Sequence, residues 1–153
     1  MSIARPLLLV LLASCYALAC TVSKPQERQQ QRFPEGDYQY SGYNKRGDKI
    51  VEGRLSITSV GTQRIGSDEV TQIKGDWQLK KVGSEERIGV QEGTGELVGS
   101  LSGESVNINL NPNINDGNVI LEGKIEGRRM SGKWSVHGYA GVINEGTFEG
   151  IRK

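Results

Sequence analysis

The sequence predicts an all-β domain over residues 36–153, an antiparallel meander of about eight strands that closes into a small up-and-down β-barrel. Three observations predict it. All 21 glycines of the 153-residue chain lie in this stretch, a share well above the usual value of about 7%. The same stretch holds a single alanine, Ala140, and its leucines follow no helical spacing, so a helix has neither its best former nor an apolar stripe. Apolar and polar residues alternate instead, the period of a strand with one buried face.

Strands are expected near 37–43, 49–59, 69–81, 88–101, 104–110, 118–126, 129–137 and 142–152. The first sets Tyr38 and Tyr40 on one face. Gly53-x-Leu55-x-Ile57 and Gly75-x-Trp77-x-Leu79 carry the second and third, and Gly95-x-Leu97-x-Gly99-x-Leu101 the fourth. The fifth is Val106-x-Ile108-x-Leu110 with Asn107 and Asn109 between, and the sixth is Val119-x-Leu121-x-Gly123-x-Ile125. Gly132-x-Trp134-x-Val136 and Gly146-x-Phe148-x-Gly150 complete the series. The intervening Arg54, Ser56, Asp76, Gln78, Glu96, Lys124, Lys133 and Glu149 then face solvent.

Short, turn-like separators such as Lys45-Arg46-Gly47-Asp48 and Glu126-Gly127-Arg128 imply antiparallel neighbours. An open meander leaves two unpaired edges, and closure removes both. Glycine within a strand costs roughly 0.5–1 kcal/mol relative to alanine. Repeated glycine on the core face therefore implies sharp coiling and close approach across a narrow barrel. A two-sheet sandwich of the same strands is the alternative. The interior can be filled by side chains or hold one small ligand, and strand pattern alone leaves both open.

Upstream, residues 1–19 have the form of an export signal: Arg5, an apolar run from Leu7 to Leu12, and Ala17-Leu18-Ala19 before Cys20. The run is far shorter than the roughly 20 residues of a spanning helix, which implies cleavage and export. A cysteine at that point resembles a bacterial lipoprotein signal, which implies acylation of Cys20 and attachment to a membrane of the cell envelope. Ala17 stands where that pattern usually has leucine, and Leu12-Ala13-Ser14-Cys15 is an earlier match with a very short leader. Simple secretion to a soluble periplasmic or extracellular protein is the alternative. Residues 20–35 are polar and lack an apolar stripe, as a tether would be.

Both cysteines precede residue 21, so the domain has no disulfide, no thiol nucleophile and no cysteine metal ligand. Removing the leader takes one base and no acid, so 19 basic residues become 18 against 18 acidic ones. That balance offers no basic stripe for phosphates, and nucleic acid is not an expected partner. His137 is the one histidine and no Gly-x-Ser-x-Gly elbow occurs, so neither a metal-assisted nor a serine-nucleophile site is expected. Asn111-x-Asn113-x-Asn115-Asp116-Gly117 lacks the charge and the downstream glutamate of a calcium loop. No enzyme activity and no cofactor are expected.

Gly132-x-Trp134, with the closing strand Gly146-Thr147-Phe148-Glu149-Gly150-Ile151-Arg152, resembles the calycin-like class of small secreted barrels, which includes lipocalins, avidins and periplasmic inhibitors. That resemblance implies a barrel that binds a ligand or a protein. Lipocalins carry Gly-x-Trp in the first strand, whereas here it falls in the penultimate one, so no ligand residues transfer. The avidin-type first strand is also missing.

Contact residues are expected among Tyr43, His137 and Tyr139 in loops at one barrel mouth, with Trp77 and Trp134 lining any cavity. The expected function is an envelope lipoprotein acting as a protein-interaction or accessory module. The alternatives are a carrier for a small apolar ligand and a structural surface protein without a discrete ligand.

Overall fold

The computed structural model describes residues 35–84 and 88–153. The leader, Cys20 and the tether up to residue 34 lie outside the described residues. Eight strands follow in order: β1 (Gly36–Tyr43), β2 (Lys49–Ile65), β3 (Asp68–Lys81), β4 (Gly93–Ser102), β5 (Ser105–Asn109), β6 (Asn118–Glu126), β7 (Arg129–Gly138) and β8 (Gly141–Arg152). Each pairs antiparallel with the next, and β1 pairs with β8, so the sheet closes into a barrel and the sandwich is set aside. In the closing seam Tyr40 lies opposite Gly150 and Gly42 opposite Phe148.

Inward residues alternate with outward ones as the sequence pattern requires. Tyr38, Tyr40, Leu55, Ile108, Leu121, Met130 and Trp134 are fully buried in one apolar core. Each such side chain stabilises the fold by roughly 1.5–3 kcal/mol on burial. The inward glycines let rings and strands approach closely: a Cβ on Gly95 would lie 2.6 Å from the Trp77 indole, and one on Gly146 would lie 2.7 Å from that of Trp134.

Two strand expectations are corrected. β2 runs on past residue 59 to Ile65 and meets β3, which starts at Asp68, at a two-residue turn, Gly66-Ser67. The extension carries no buried residue from Thr58 to Gln72, so no apolar alternation marks it. Its two strands hold each other through backbone pairing and the Thr62–Thr71 hydroxyl contact of 3.1 Å. β4 starts at Gly93 and not at residue 88, because Gly89 (φ +65°) and Gly93 (φ +104°) turn the chain across the barrel mouth before the ladder begins.

The meander sorts its connections by end. The two-residue turns β2–β3, β4–β5 and β6–β7 share one end with the start of β1 and the C-terminus. The longer links β1–β2, β3–β4 and β5–β6, with the β7–β8 turn, share the other, called here the loop end.

Candidate functional site

At the loop end the interior is closed by the chain itself. Ile88 and Gln91, from the β3–β4 link, are buried in the mouth. Gly89 sits over Val119 and Val136, close enough that a Cβ there would lie 2.7 Å from a Val119 methyl. Burying an amide among apolar side chains is costly unless its hydrogen bonds are made. Gln91 makes them at both ends: Tyr40 Oη donates to its Oε1 at 2.9 Å, and its Nε2 donates to the Ile88 carbonyl at 2.7 Å. Burial pushes the Tyr40 hydroxyl far above the ordinary tyrosine pKa, which keeps it a donor. The Tyr40 ring stacks on Phe148, with centroids 6.0 Å apart and planes 19° apart.

The two tryptophans lie beneath this closure. Trp77 is 4% exposed and Trp134 0%. Trp77 Nε1 donates to the Leu110 carbonyl, tying β3 to the start of the β5–β6 link. Trp134 Nε1 donates to the Tyr43 carbonyl at 2.8 Å, tying β7 to the end of β1. Both rings therefore act as struts, with their polar edges spent on backbone and their faces in the packed core.

The rim is organised by short polar contacts. Asn44 Oδ1 accepts from the backbone N–H groups of Arg46 and Asp48 at 2.9 and 3.0 Å, which shapes the β1–β2 turn. Lys45 reaches across to Glu145 at 2.9 Å, and this lysine holds the Glu145 carboxyl below its ordinary pKa. The β5–β6 link docks on the β7–β8 turn: Gly117 N donates to the His137 carbonyl at 2.8 Å, and Tyr139 N donates to Asp116 Oδ1 at 3.2 Å.

The β7–β8 turn, the start of β8 and the β5–β6 link carry exposed apolar side chains at this end. Tyr139 is 88% exposed, Val142 54%, Ile143 46% and Ile114 36%. Ile143 lies against Gly138, its Cδ1 2.6 Å from where a Cβ would stand. Several exposed apolar side chains at one end of a domain offer surface to a partner. His137 and Tyr139 belong to this surface. Tyr43 stands at the same end on β1, half-buried opposite Thr147 of β8. Trp77 and Trp134 do not reach the surface.

Sequence reasoning missed Ile88 and Gln91, assigned to a strand, and Ile114, Val142 and Ile143. The signal for Val142 and Ile143 was present: two adjacent apolar residues break the alternation where β8 has a bulge opposite Val136 and His137.

His137 Nε2 lies 2.8 Å from Ser135 Oγ on the outer face of β7. A nucleophile–base pair needs a third group to orient the imidazole. Among the described residues no carboxylate bonds to the second ring nitrogen, and no three His, Cys, Asp or Glu side chains form a metal-binding group. No protein-family model and no curated protein matches the chain.

Proposed function

We propose that this protein is an exported, non-catalytic module of the cell envelope, attached through Cys20, whose loop end docks a protein partner. One observation carries the reading: Tyr139, Val142, Ile143 and Ile114 are exposed apolar side chains at the loop end, where Ile88 and Gln91 are buried in the mouth. Exposed apolar surface favours a partner's apolar surface, with Tyr139 as an aromatic anchor of the kind that dominates interface energetics. The packed interior weighs against a resident apolar ligand. β1 begins at the opposite end, so Gly36 lies at the end of the barrel away from this surface.

The test is photo-crosslinking from position 139 in the native envelope, with position 122 on the outer barrel wall as control. The expected result is one protein-sized adduct from 139 that is lost on Ile143→Asp. Equal labelling from both positions, or none from 139, overturns the reading. Native mass spectrometry of protein re-isolated from envelope extract decides the carrier alternative, because a retained mass of small-molecule size would require a hollow barrel.

A further inference from the structure

The barrel is closed, yet one of its seams parts before it reaches the loop end. β3 pairs with β4 from Gly93 onwards, whereas β5 pairs with β4 only from Val98 to Ser102. Gly93 to Leu97 therefore have a strand neighbour on one side alone. Trp77 stands at the parting. Its indole lies against Gly95, where a Cβ would stand 2.6 Å from the ring, and its Nε1 donates to the Leu110 carbonyl. Leu110 N donates to the Val119 carbonyl, so the chain leaving β5 turns to β6 and the core instead of continuing along β4.

The registers show which groups are left. Backbone N–H and C=O groups point to alternate sides of a strand from one residue to the next. Leu110 bonds toward β6, so Asn109 bonds toward β4, where it lies opposite Val98. Two and four residues before Val98, Glu96 and Thr94 aim their N–H and C=O groups the same way, into the position that β5 has vacated. Both residues are exposed. Among the described residues none of these four backbone groups has a hydrogen-bond partner.

A free strand edge is a template for another strand, and proteins usually blunt one that is not used. The free edge of β2 beyond Ile57 is blunted: its register shifts between Ser59 and Gly61, and Glu35 Oε1 accepts from the Ser59 N–H at 3.0 Å. The edge of β4 has no such device. From Gly93 to Leu97 its register with β3 is unbroken, it holds neither proline nor lysine, and Gly93, Thr94 and Gly95 are small enough for close approach.

Charge indicates what kind of strand fits. On the outer face Glu96 lies directly opposite Asp76 of β3, and both are exposed. Like charges directly opposite each other in a sheet are destabilising. Among the described residues neither carboxylate forms an ion pair, and Lys74, on the same face two residues before Asp76, pairs with neither. A cationic side chain on an added strand, opposite Glu96, would offset that repulsion.

We propose that the free edge of β4 from Gly93 to Leu97 accepts an extended segment of a partner protein, antiparallel to β4, with a Lys or Arg opposite Glu96. Main-chain bonds to Thr94 and Glu96 supply the affinity, and the two carboxylates select the basic residue. This edge lies on the barrel wall and does not depend on the apolar side chains of the loop end.

The experiment is amide hydrogen exchange by NMR on the full purified chain, titrated with the end-capped peptide Thr-Val-Thr-Lys-Thr-Val-Thr and with counterparts carrying Glu or Pro in place of Lys. The expected result is fast exchange at the Thr94 and Glu96 amides in the free protein and saturable slowing, at least tenfold, with the lysine peptide and neither counterpart. Glu96→Lys, an exposed substitution that removes the repulsion with Asp76, should weaken binding of the lysine peptide at least fivefold and admit the glutamate peptide. Slow exchange of both amides in the free protein, no slowing with the lysine peptide, slowing confined to other residues, or equal binding of the lysine and glutamate peptides overturns the proposal. The Ile143→Asp variant should titrate like the parent, so failure at this edge and failure of the loop-end reading are read separately.

Discussion

The Tyr40 hydroxyl donates to Gln91 Oε1 at 2.9 Å across 51 residues of sequence, and both side chains are wholly buried. This bond holds the β3–β4 link in the barrel mouth. Removing one partner leaves the other buried and unsatisfied, which costs about 1–3 kcal/mol, more than the bond's net contribution. Gln91→Ala and Tyr40→Phe should each destabilise by that amount in urea unfolding. In the double-mutant cycle the two effects should be clearly less than additive. Additive losses would mean that the bond does not form.

Gly95→Ala and Gly146→Ala test the struts. The methyl at 95 would stand 2.6 Å from the Trp77 indole, and the one at 146 would stand 2.7 Å from the Trp134 indole and closer still to the Tyr43 carbonyl oxygen that accepts its Nε1. Overpacking of this kind costs about 1–3 kcal/mol. Equilibrium unfolding followed by tryptophan emission should show it, with quenching by iodide negligible in the parent and increased in the variants.

Stability should fall at both pH extremes, for different groups. Asp37, Glu52 and Glu145 have carboxyls held below their ordinary pKa, by the Ser56 hydroxyl, by Lys80 and Lys49, and by Lys45 respectively. A depressed folded pKa contributes stability above the unfolded value of about 4 and loses it as pH falls through the folded one. All three are surface groups, so this loss should be shallow. Tyr40 and Tyr38 are shifted upward by burial. Their contribution is complete below about pH 10 and declines as pH rises beyond it. Absorbance titration should show Tyr40 ionising only on unfolding.

Tyr139→Ala should leave unfolding within about 0.5 kcal/mol of the parent, because an exposed side chain contributes little to folding. Thermal melts together with the crosslinking assay check whether this residue serves recognition and not stability.

Amide exchange should divide β2 in two. Backbone N–H groups of residues 60–65 lie beyond the reach of β1, whose pairing ends with Gly36 opposite Ile57. They should exchange far faster than those of residues 51–57, paired on both sides within the core. Equal protection would require something to cover that edge.

The period-2 alternation by itself determined the fold class, the strand count and the inward residues. Burying one face of a strand demands that pattern wherever the chain lies in the sheet. The turn glycines and short links determined the antiparallel order. Alternation falls silent where no face is buried, which is why the end of β2 from Val60 to Ile65 stayed hidden. It misleads where an apolar residue is buried outside a ladder, as Ile88 is. Tyr43, His137 and Tyr139 were legible as loop or strand-end residues. Only closure of β1 on β8 and the docking of residues 110–117 on the β7–β8 turn put them at one end with Ile114 and Ile143. The partnership of Tyr40 with Gln91 and the parting of β5 from β4 beyond Val98 were likewise decided by tertiary structure alone. Register is a relation between distant segments, and no single strand's sequence states which residue will lie opposite it.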